Sequence, residues 1–218
     1  MGDESVKVNE IFYSIEGEGI RQGYPCVFLR LAGCNLNCSY CDTGYAKHLS
    51  QGTEMSEEAV LKEVLSYDCP RVTITGGEPL LSLSEELLAG LWDEGVEVNI
   101  ETNGSLDPRP FMMSNVIITM DYKLPSSGME GEMNEDYIDE LRGKDVLKFV
   151  AGSAEDLERA KEIIEDHNLS GWSNIFFSPV FGRIHPQRIA TFLKENNIDA
   201  RLQLQIHKII WDSNTRGV

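Results

Sequence analysis

Residues 71–101 read RVTITGGEPLLSLSEELLAGLWDEGVEVNIE and contain one complete β–α–β unit. Arg71–Thr75 is rich in β-branched residues and predicts a strand that ends at two glycines. Ser84–Glu94 predicts a helix, and Val96–Glu101 predicts the strand that follows it. Two strands joined through a helix lie parallel in one sheet. This stretch therefore predicts an α/β fold built around a parallel sheet.

The same alternation continues on both sides of this unit. The other predicted strands are Val6–Tyr13, Pro25–Leu31, Val116–Asp121, Val146–Val150, Asn174–Ser178 and Arg201–Gln205. The other predicted helices are a segment that Ser56 caps and that runs to about Tyr67, Asn134–Leu141, Ala154–Asn168 and Pro186–Glu195. About six such units fit the chain, whereas a closed eight-unit barrel takes about 250 residues. We therefore expect a partial, open (β/α)6-type parallel barrel that forms a single domain over residues 1–218.

Composition and charge exclude several classes of function. Lys and Arg total 19 while Asp and Glu total 36, which gives a net charge of −17, and an acidic surface repels the phosphates of nucleic acids. No apolar run approaches the roughly 18 residues of a membrane span, and the N-terminus lacks the apolar core of a signal peptide. We expect a cytoplasmic protein that binds neither nucleic acid nor membrane. In such a protein the five cysteines favour metal or cluster ligation over disulfides, although Cys26 and Cys69 stand apart and are expected to be core residues.

Polar clusters follow several of the predicted strands. They are residues 33–54, Gly76–Pro79, Glu101–Gly104, Asp121–Gly128 and His207. In parallel sheets and barrels, ligands bind at the carboxyl ends of the strands. We therefore expect these clusters to form one large site.

The first of these clusters contains residues 33–43, GCNLNCSYCDT, with Cys34, Cys38 and Cys41 spaced C-x3-C-x2-C. Three thiolates in a tight loop suit an iron–sulfur cluster, and three ligands leave one iron of a four-iron cluster open. Structural zinc takes four ligands, typically as two spaced pairs. Zinc with His48 as a fourth ligand, or an ordinary loop, is therefore less favoured than a cluster.

The C-x3-C-x2-C loop, with an aromatic residue before its third cysteine, resembles the radical SAM superfamily. Residues 76–79 (GGEP) are similar to a second motif of that superfamily. The resemblance implies a [4Fe–4S] cluster whose open iron binds S-adenosylmethionine (SAM) and whose reduction cleaves SAM to a 5′-deoxyadenosyl radical. The residues implied to contact SAM are Tyr40, Gly76, Gly77, Glu78, Thr102, Lys123 and Ser126. Thr102, Lys123 and Ser126 could equally cap a helix or order a loop.

Four further segments narrow the resemblance. Residues 12–19 (FYSIEGEG), Arg30, residues 41–43 (CDT) and residues 203–208 (QLQIHK) together resemble the 7-carboxy-7-deazaguanine synthase family. The resemblance covers nearly the whole chain. It implies conversion of 6-carboxy-5,6,7,8-tetrahydropterin to 7-carboxy-7-deazaguanine with loss of ammonia, for queuosine or archaeosine biosynthesis.

This narrower resemblance also implies the site residues and partners. The residues implied to contact the pterin substrate are Ile15, Glu16, Gly17, Glu18, Arg30, Thr75, Gln205 and His207. Thr43 is implied to hold Mg2+ through its hydroxyl. The implied partners are a flavodoxin- or ferredoxin-like electron donor and a second copy of the chain in a homodimer. Glu16 stands where that family usually has Gln, and an ionised Glu cannot donate a hydrogen bond.

Other interpretations of these residues remain open. Glu16 and Glu18 are also typical of solvated loop acids, and His207 of a core histidine. Arg30 lies in an apolar strand and needs an anion, which the substrate or a structural carboxylate can supply. A glycyl-radical-enzyme activase would share the cysteine loop and GGEP, and a non-catalytic iron–sulfur or zinc protein would share the cysteines alone.

Overall fold

The computed structural model describes residues 5–172, 174–212 and 215–218. The strands in these ranges are β1 (Ser5–Ile15), β2 (Pro25–Leu31), β3 (Thr53–Ser56), β4 (Arg71–Gly76), β5 (Glu97–Thr102), β6 (Val116–Tyr122), β7 (Val146–Ala151), β8 (Ile175–Pro179) and β9 (Arg201–Leu202). The α-helices are α1 (Glu57–Leu65), α2 (Glu85–Asp93), α3 (Asp136–Glu140), α4 (Ala154–Asp166), α5 (Pro186–Glu195) and α6 (His207–Ile210). No helix among the described residues is both long and apolar enough to cross a membrane.

The described strands form one sheet in the order β3-β1-β2-β4-β5-β6-β7-β8-β9. From β2 to β9 every neighbouring pair is parallel, which confirms the predicted α/β fold with a partial parallel barrel. The first strand is antiparallel to both of its neighbours, β2 and β3. The short strand β3 was not predicted; it begins at the end of residues 33–54 and pairs with the start of β1.

The last predicted strand, Arg201–Gln205, is wrong beyond its second residue, where β9 ends. The chain there turns towards the loop that follows β1. Gln203 donates through Nε2 to the carbonyl of Gly19 at 3.2 Å, and Gln22 donates through Nε2 to the carbonyl of Leu204 at 2.6 Å. These side-chain bonds take the place of a longer strand ladder and direct the chain into α6.

Side chains alternate between the two faces of the parallel strands. One face carries buried core residues, among them Val72, Ile74, Val98, Ile100, Ile118, Met120, Leu147 and Phe149. The opposite face lines the inside of the partial barrel, here called the lumen, and carries Thr73, Thr75, Asn99, Glu101, Thr119, Asp121 and Lys148. Full burial of a large aliphatic side chain contributes roughly 1.5–3 kcal/mol. The outer face therefore supplies most of the stability, and the lumen carries the polar groups.

Helix α4 begins with a capping box, in which Ser153 and Asp156 exchange hydrogen bonds at 3.1 and 3.0 Å. The fully buried Asp156 carboxylate also accepts from the N–H of Gly152 and from the N–H and hydroxyl of Ser126. It therefore fastens the loop after β6 to the start of α4. The amphipathic face predicted for this helix is confirmed, since Leu157, Ala160, Ile163 and Ile164 are buried.

We predict that Asp156→Ala lowers the free energy of unfolding by about 3 kcal/mol, because it leaves several buried donors without an acceptor. Asp166→Ala, at the exposed end of the same helix, is the matched control and is expected to change that free energy by less than about 0.5 kcal/mol. Urea denaturation of both variants measures the difference. Equal effects would contradict the role given to Asp156.

Candidate active site

The cysteine loop leaves the carboxyl end of β2 and carries free thiols at Cys34, Cys38 and Cys41, the last of them exposed. The Sγ of Cys34 receives the N–H of Leu36 at 3.5 Å and Nδ2 of Asn103 at 3.9 Å. Such donors tune a cluster held by thiolates. Burial raises the pKa of Cys34 and Cys38, and coordination to a metal is what deprotonates such thiols.

Ser39, in the middle of the cysteine loop, is hydrogen-bonded to the loops that follow β6 and β8. Ser39 donates through its N–H to the carbonyl of Ser127 at 2.9 Å and through its hydroxyl to the carbonyl of Ser126 at 2.7 Å. Arg183, in the loop after β8, donates to the hydroxyl and carbonyl of Ser39 at 3.0 and 3.1 Å. Its guanidinium carbon lies 5.6 Å from the centre of the Tyr40 ring. Arg183 is not predicted from the sequence, where it is one more cation in a loop.

The two glycines after β4 allow a close approach of protein backbone. A Cβ at Gly76 would lie 2.0 Å from the carbonyl oxygen of Leu31, and a Cβ at Gly77 would lie 2.0 Å from that of Gly33. The N–H groups of Gly77 and Glu78 donate to the same two carbonyls at 3.0 and 2.7 Å. The sequence suggested that these glycines admit a ligand. In the structure they admit the start of the cysteine loop and lock it beside β4.

Three of the side chains predicted to contact SAM already have protein partners. Glu78 is buried and accepts from the hydroxyl of Thr102 at 2.8 Å and from the N–H of Asn103 at 2.6 Å. Ser126 gives its hydroxyl to Asp156 at 2.5 Å. These hydrogen bonds connect the carboxyl ends of β4, β5 and β6 to neighbouring segments. The polar groups of these three side chains therefore stabilise the fold around the site.

An ion pair crosses the inside of the partial barrel. The Nζ of Lys148 on β7 lies 2.5 Å from Oε2 of Glu18 in the loop after β1, and Gln205 donates to the other oxygen of Glu18 at 2.6 Å. Burial opposes ionisation of both groups. The Lys148 ammonium nevertheless lowers the pKa of Glu18 to about 2, and Glu18 raises the pKa of Lys148. Both groups are therefore charged. Lys148 is not predicted from the sequence, where its only signal is a lone cation at an inward position of an apolar strand.

His207 packs against the same loop. A Cβ at Gly17 would lie 2.0 Å from Nδ1 of His207, so a larger residue there would displace the imidazole. The N–H of Ile206 donates to the carbonyl of Gly17 at 3.2 Å. Burial lowers the pKa of His207 against the opposing charge of Glu18, and the imidazole is therefore neutral at neutral pH. The structure brings His207 and Glu18 close enough to interact electrostatically.

A second ion pair lies at the end of β6, where Nζ of Lys123 is 2.9 Å from Oδ2 of Asp121. Burial works against the charge of Lys123, but Asp121 and the nearby Cys38 raise its pKa overall. The other carboxylate oxygen of Asp121 is buried and has no hydrogen-bond partner among the described residues. An unpartnered acceptor beside the cysteine loop suits a ligand that brings an ammonium or hydroxyl group.

Glu16 is buried in the same interior. The hydroxyl of Thr73 donates to its Oε2 at 2.5 Å, and the guanidinium of Arg21 lies 3.8 Å from that oxygen. Burial, together with the charge of Glu101, raises the pKa of Glu16 to about 7 despite these partners. A large part of Glu16 is therefore protonated at neutral pH and can donate a hydrogen bond, as a Gln side chain would.

Arg30 has one ion pair and a free end. Its Nε donates to Oε1 of Glu10 at 2.8 Å, and its guanidinium carbon lies 6.0 and 5.7 Å from the ring centres of Phe12 and Tyr45. Its two Nη atoms have no hydrogen-bond partner among the described residues. The structural carboxylate that the sequence left open is therefore present, and it leaves the Nη fork of Arg30 available to a ligand.

The remaining predicted residues lie in the same region. The hydroxyl of Thr43 is 3.7 Å from Sγ of Cys41, the hydroxyl of Thr75 donates to Glu101 at 3.1 Å, and Ile15 ends β1 beside the loop that carries Glu18. A surface cavity of about 320 Å3, lined in part by Ile138, Arg142, His167 and Trp172, opens near the amino ends of β7 and β8, away from all of these residues.

Comparison with known proteins identifies the family. The family model of the radical SAM superfamily matches residues 29–114. The chain is 48% identical to the 7-carboxy-7-deazaguanine synthase of Clostridium acetobutylicum, over 97% of this chain and 99% of that protein.

This chain belongs to the 7-carboxy-7-deazaguanine synthase family.

Other relatives agree with that assignment. The synthase of Methanospirillum hungatei is 43% identical over 94% of this chain and 85% of that protein, and the synthase of Chlorobaculum tepidum is 40% identical over 98% and 97%. The crystal structure of QueE from Escherichia coli has the same fold, with a TM-score of 0.75 at 24% identity, covering 92% of this chain and 94% of that one.

As a member of the radical SAM superfamily, this synthase-family chain uses a [4Fe–4S] cluster and SAM. Among the described residues, no three His, Cys, Asp or Glu side chains converge closely enough to hold a single metal ion. Three free thiols, with N–H donors aimed at Cys34, fit a cluster, and the unpartnered oxygen of Asp121 fits the polar groups of SAM. The residues present therefore fit both groups.

In this synthase-family chain, Gly77→Ala is predicted to displace the cysteine loop, because the new Cβ would overlap the Gly33 carbonyl. We expect the iron and sulfide content after anaerobic reconstitution to fall severalfold. Gly131→Ala is the matched control, since a Cβ there meets nothing within 4 Å, and it should bind iron and sulfide as the unchanged protein does. Equal cluster content in the two variants would refute the packing role of Gly77.

Glu16 also predicts a pH dependence of stability. Its folded-state pKa, about 7, exceeds the ordinary value of 4.5, so the folded state binds more protons between these values and stability falls as pH rises through this window. Glu16→Gln should remove that fall. We expect the unfolding free energy of the unchanged protein, relative to the variant, to drop by about 2 kcal/mol between pH 5.5 and pH 8. Urea denaturation at both pH values, with cluster content matched, tests this, and identical pH slopes would contradict it.

Proposed function

We propose that this chain is a radical SAM lyase that converts 6-carboxy-5,6,7,8-tetrahydropterin to 7-carboxy-7-deazaguanine with loss of ammonia, in the biosynthesis of 7-deazapurines such as queuosine or archaeosine. Similarity to curated synthases over nearly the full length of the chain supports the reaction. The observation that carries the proposal in the structure is the open Nη fork of Arg30. Arg30 is a largely buried cation whose two Nη atoms have no partner among the described residues, and the strand that carries it leads into the cysteine loop.

Cys34, Cys38 and Cys41 are the proposed ligands of the cluster, and SAM is proposed to lie against the cysteine loop and the ends of β4 to β6. Bound together, the cluster and SAM supply an organic radical that abstracts hydrogen from a substrate carbon. The chain's own contribution is to position the reactants and exclude water. Tyr40, held by its hydroxyl to the carbonyl of Val150 at 3.3 Å, is proposed to flank the adenine.

The lumen offers groups that match the substrate. The substrate carboxylate is proposed to pair with the Nη atoms of Arg30, whose fork geometry suits a bidentate contact. The pyrimidine end carries amino and ring N–H donors, which need acceptors. Glu18 stays ionised, and its oxygens retain lone pairs beyond those that Lys148 and Gln205 occupy. His207, neutral and close to Glu18, completes this end of the pocket.

Mg2+ is proposed to bind between the hydroxyl of Thr43 and the substrate carboxylate. Mg2+ prefers oxygen ligands and keeps several waters, so it needs few protein groups. The place of Thr43, two residues after the exposed Cys41, supports this assignment.

The remaining proposals concern partners and organisation. A small flavodoxin- or ferredoxin-like protein is the proposed electron donor, and the chain is proposed to act as a homodimer. Residues 1–218 are proposed to act as a single domain, because all the described strands belong to one sheet. A cytoplasmic location stays a prediction, and the five free thiols are in keeping with a reducing compartment.

The test is an Arg30→Ala variant. Loss of a bidentate charged contact should lower formation of 7-carboxy-7-deazaguanine by about 100-fold, because the carboxylate loses its partner. Cleavage of SAM by dithionite without the pterin should stay within about threefold of the unchanged enzyme. Mass analysis of deazaguanine and 5′-deoxyadenosine gives both rates.

Arg188→Ala, on the exposed surface of α5, is the matched control and should leave both rates unchanged. Full pterin turnover by Arg30→Ala would overturn the substrate assignment. Equal loss of both rates would show that Arg30 serves the SAM site instead of the carboxylate.

A further inference from the structure

Glu10 is a carboxylate of β1 to which the proposed function gives no role. Its Oε1 accepts from Nε of Arg30 at 2.8 Å and from the hydroxyl of Tyr45 at 3.2 Å. Its Oε2 lies 3.5 Å from Nη2 of Arg216, close to the end of the chain. The Glu10 side chain is only 17% exposed. An enclosed carboxylate needs such partners, and one of them is the arginine proposed to bind the substrate.

Glu10 determines which edge of the Arg30 guanidinium is free. A guanidinium offers a side edge that includes Nε and an end formed by its two Nη atoms. Because Glu10 occupies Nε, the Nη end remains for a ligand, and that end matches the two oxygens of a carboxylate. The rings of Phe12 and Tyr45 confine the guanidinium further. Arg30 is therefore held in one orientation before any ligand arrives.

Charge balance explains the contact with Arg216. A Glu10–Arg30 pair alone is neutral, and its carboxylate would repel an incoming anion. Arg216 adds a second cation, so two guanidinium groups face one carboxylate. Arg216 is itself anchored, since it donates to Oδ1 of Asn9 at 3.3 Å and its guanidinium carbon lies 3.7 Å from the centre of the Tyr45 ring. Glu101 also interacts with Arg30, but burial raises the pKa of its carboxyl and so opposes its negative charge. In a chain of net charge −17, the second cation that Arg216 adds to this cluster favours an anionic ligand.

We propose that Glu10 is the positioning residue of Arg30, and that Arg216, reaching back from the C-terminal segment, gives this pair the net positive charge that a carboxylate needs. The C-terminal segment thereby takes part in recognising the substrate carboxylate. The inference rests on the proposed function, which supplies a substrate with that group.

The test compares two ligands that differ by the carboxylate alone, 7-carboxy-7-deazaguanine and 7-deazaguanine. Glu10→Asp keeps the charge but shortens the side chain, so it separates positioning from charge. We expect it to weaken binding of the carboxylated ligand to the SAM-bound holoenzyme by about tenfold. Binding of 7-deazaguanine should stay within about twofold. Anaerobic titration calorimetry gives both dissociation constants.

Two further variants complete the design. Arg216→Ala should weaken binding of the carboxylated ligand by about three- to tenfold, since it removes a partly exposed charge. Arg216→Lys keeps the charge and should bind that ligand more tightly than Arg216→Ala does. This arm stands even if Glu10→Asp fails to fold. The matched control is Glu54→Asp on β3, where the carboxylate pairs with Lys7 at 3.1 Å away from the site, and it should leave both ligands unaffected.

Some results would overturn the inference. Equal weakening of both ligands by Glu10→Asp would show a general structural role. Glu10→Asp can also be added to the Arg30→Ala variant. If it weakens binding of the carboxylated ligand there by as much as it does in the unchanged enzyme, Glu10 acts without Arg30. If Arg216→Ala binds the carboxylated ligand as tightly as the unchanged enzyme does, the C-terminal segment takes no part in recognising the carboxylate. Equal binding of the two ligands by the unchanged enzyme would refute recognition of the carboxylate and with it this inference, whereas failure of the unchanged enzyme to form 7-carboxy-7-deazaguanine would refute the proposed function.

Discussion

The ion pair between Lys148 and Glu18 is the interaction on which the rest of the candidate site depends. One partner lies on β7 and the other in the loop after β1, so the pair joins opposite sides of the partial barrel. Removing one partner of such a buried pair typically costs about 3–5 kcal/mol, because the other charge is left alone out of water. Gln205 and His207 gather around the same carboxylate. This pair thus acts together with the Gln203–Gly19 and Gln22–Leu204 bonds to hold the loop after β1 against residues 203–207.

Other charged side chains in the lumen are also paired, and each of two such pairs leaves polar atoms available to a ligand. Asp121 is paired with Lys123 through one oxygen, and its other oxygen has no hydrogen-bond partner within the described ranges. Arg30 is paired with Glu10 through Nε, and its Nη atoms contact no acceptor in the part of the chain that the structure describes. One opening is acidic and suits an ammonium or hydroxyl group, while the other is basic and suits a carboxylate. A barrel whose outer face is apolar can carry this many charges only because nearly all are neutralised within it.

Local sequence patterns predicted the fold well, because each β–α–β unit is encoded in contiguous residues. The strand at Arg71–Thr75 and the helix at Ser84–Glu94 lie within a residue of where they were predicted. The cysteine loop and GGEP were recognisable for the same reason. The predicted strand end at Gln205 failed, because side-chain bonds to a loop about 180 positions earlier in the chain replace the ladder there.

The parts of the site that local patterns did not reveal are held by long-range pairs. Arg183 and Ser39 are 144 positions apart, and no local periodicity links them. Lys148 gave only the signal of a cation in an apolar strand, which does not name its partner. The resemblance gave Gly77 a contact with SAM, whereas its packing role depends on a residue 44 positions earlier, since a Cβ at Gly77 would overlap the carbonyl of Gly33.

The central claim is that these lumen charges hold one carboxylated pterin beside a cluster-bound SAM. Its most direct test is anaerobic incubation of the reconstituted protein with 6-carboxy-5,6,7,8-tetrahydropterin, SAM, dithionite and Mg2+, followed by mass analysis. The account predicts 7-carboxy-7-deazaguanine and ammonia in equal amounts, with SAM largely recovered. Consumption of SAM with no deazaguanine formed would contradict it.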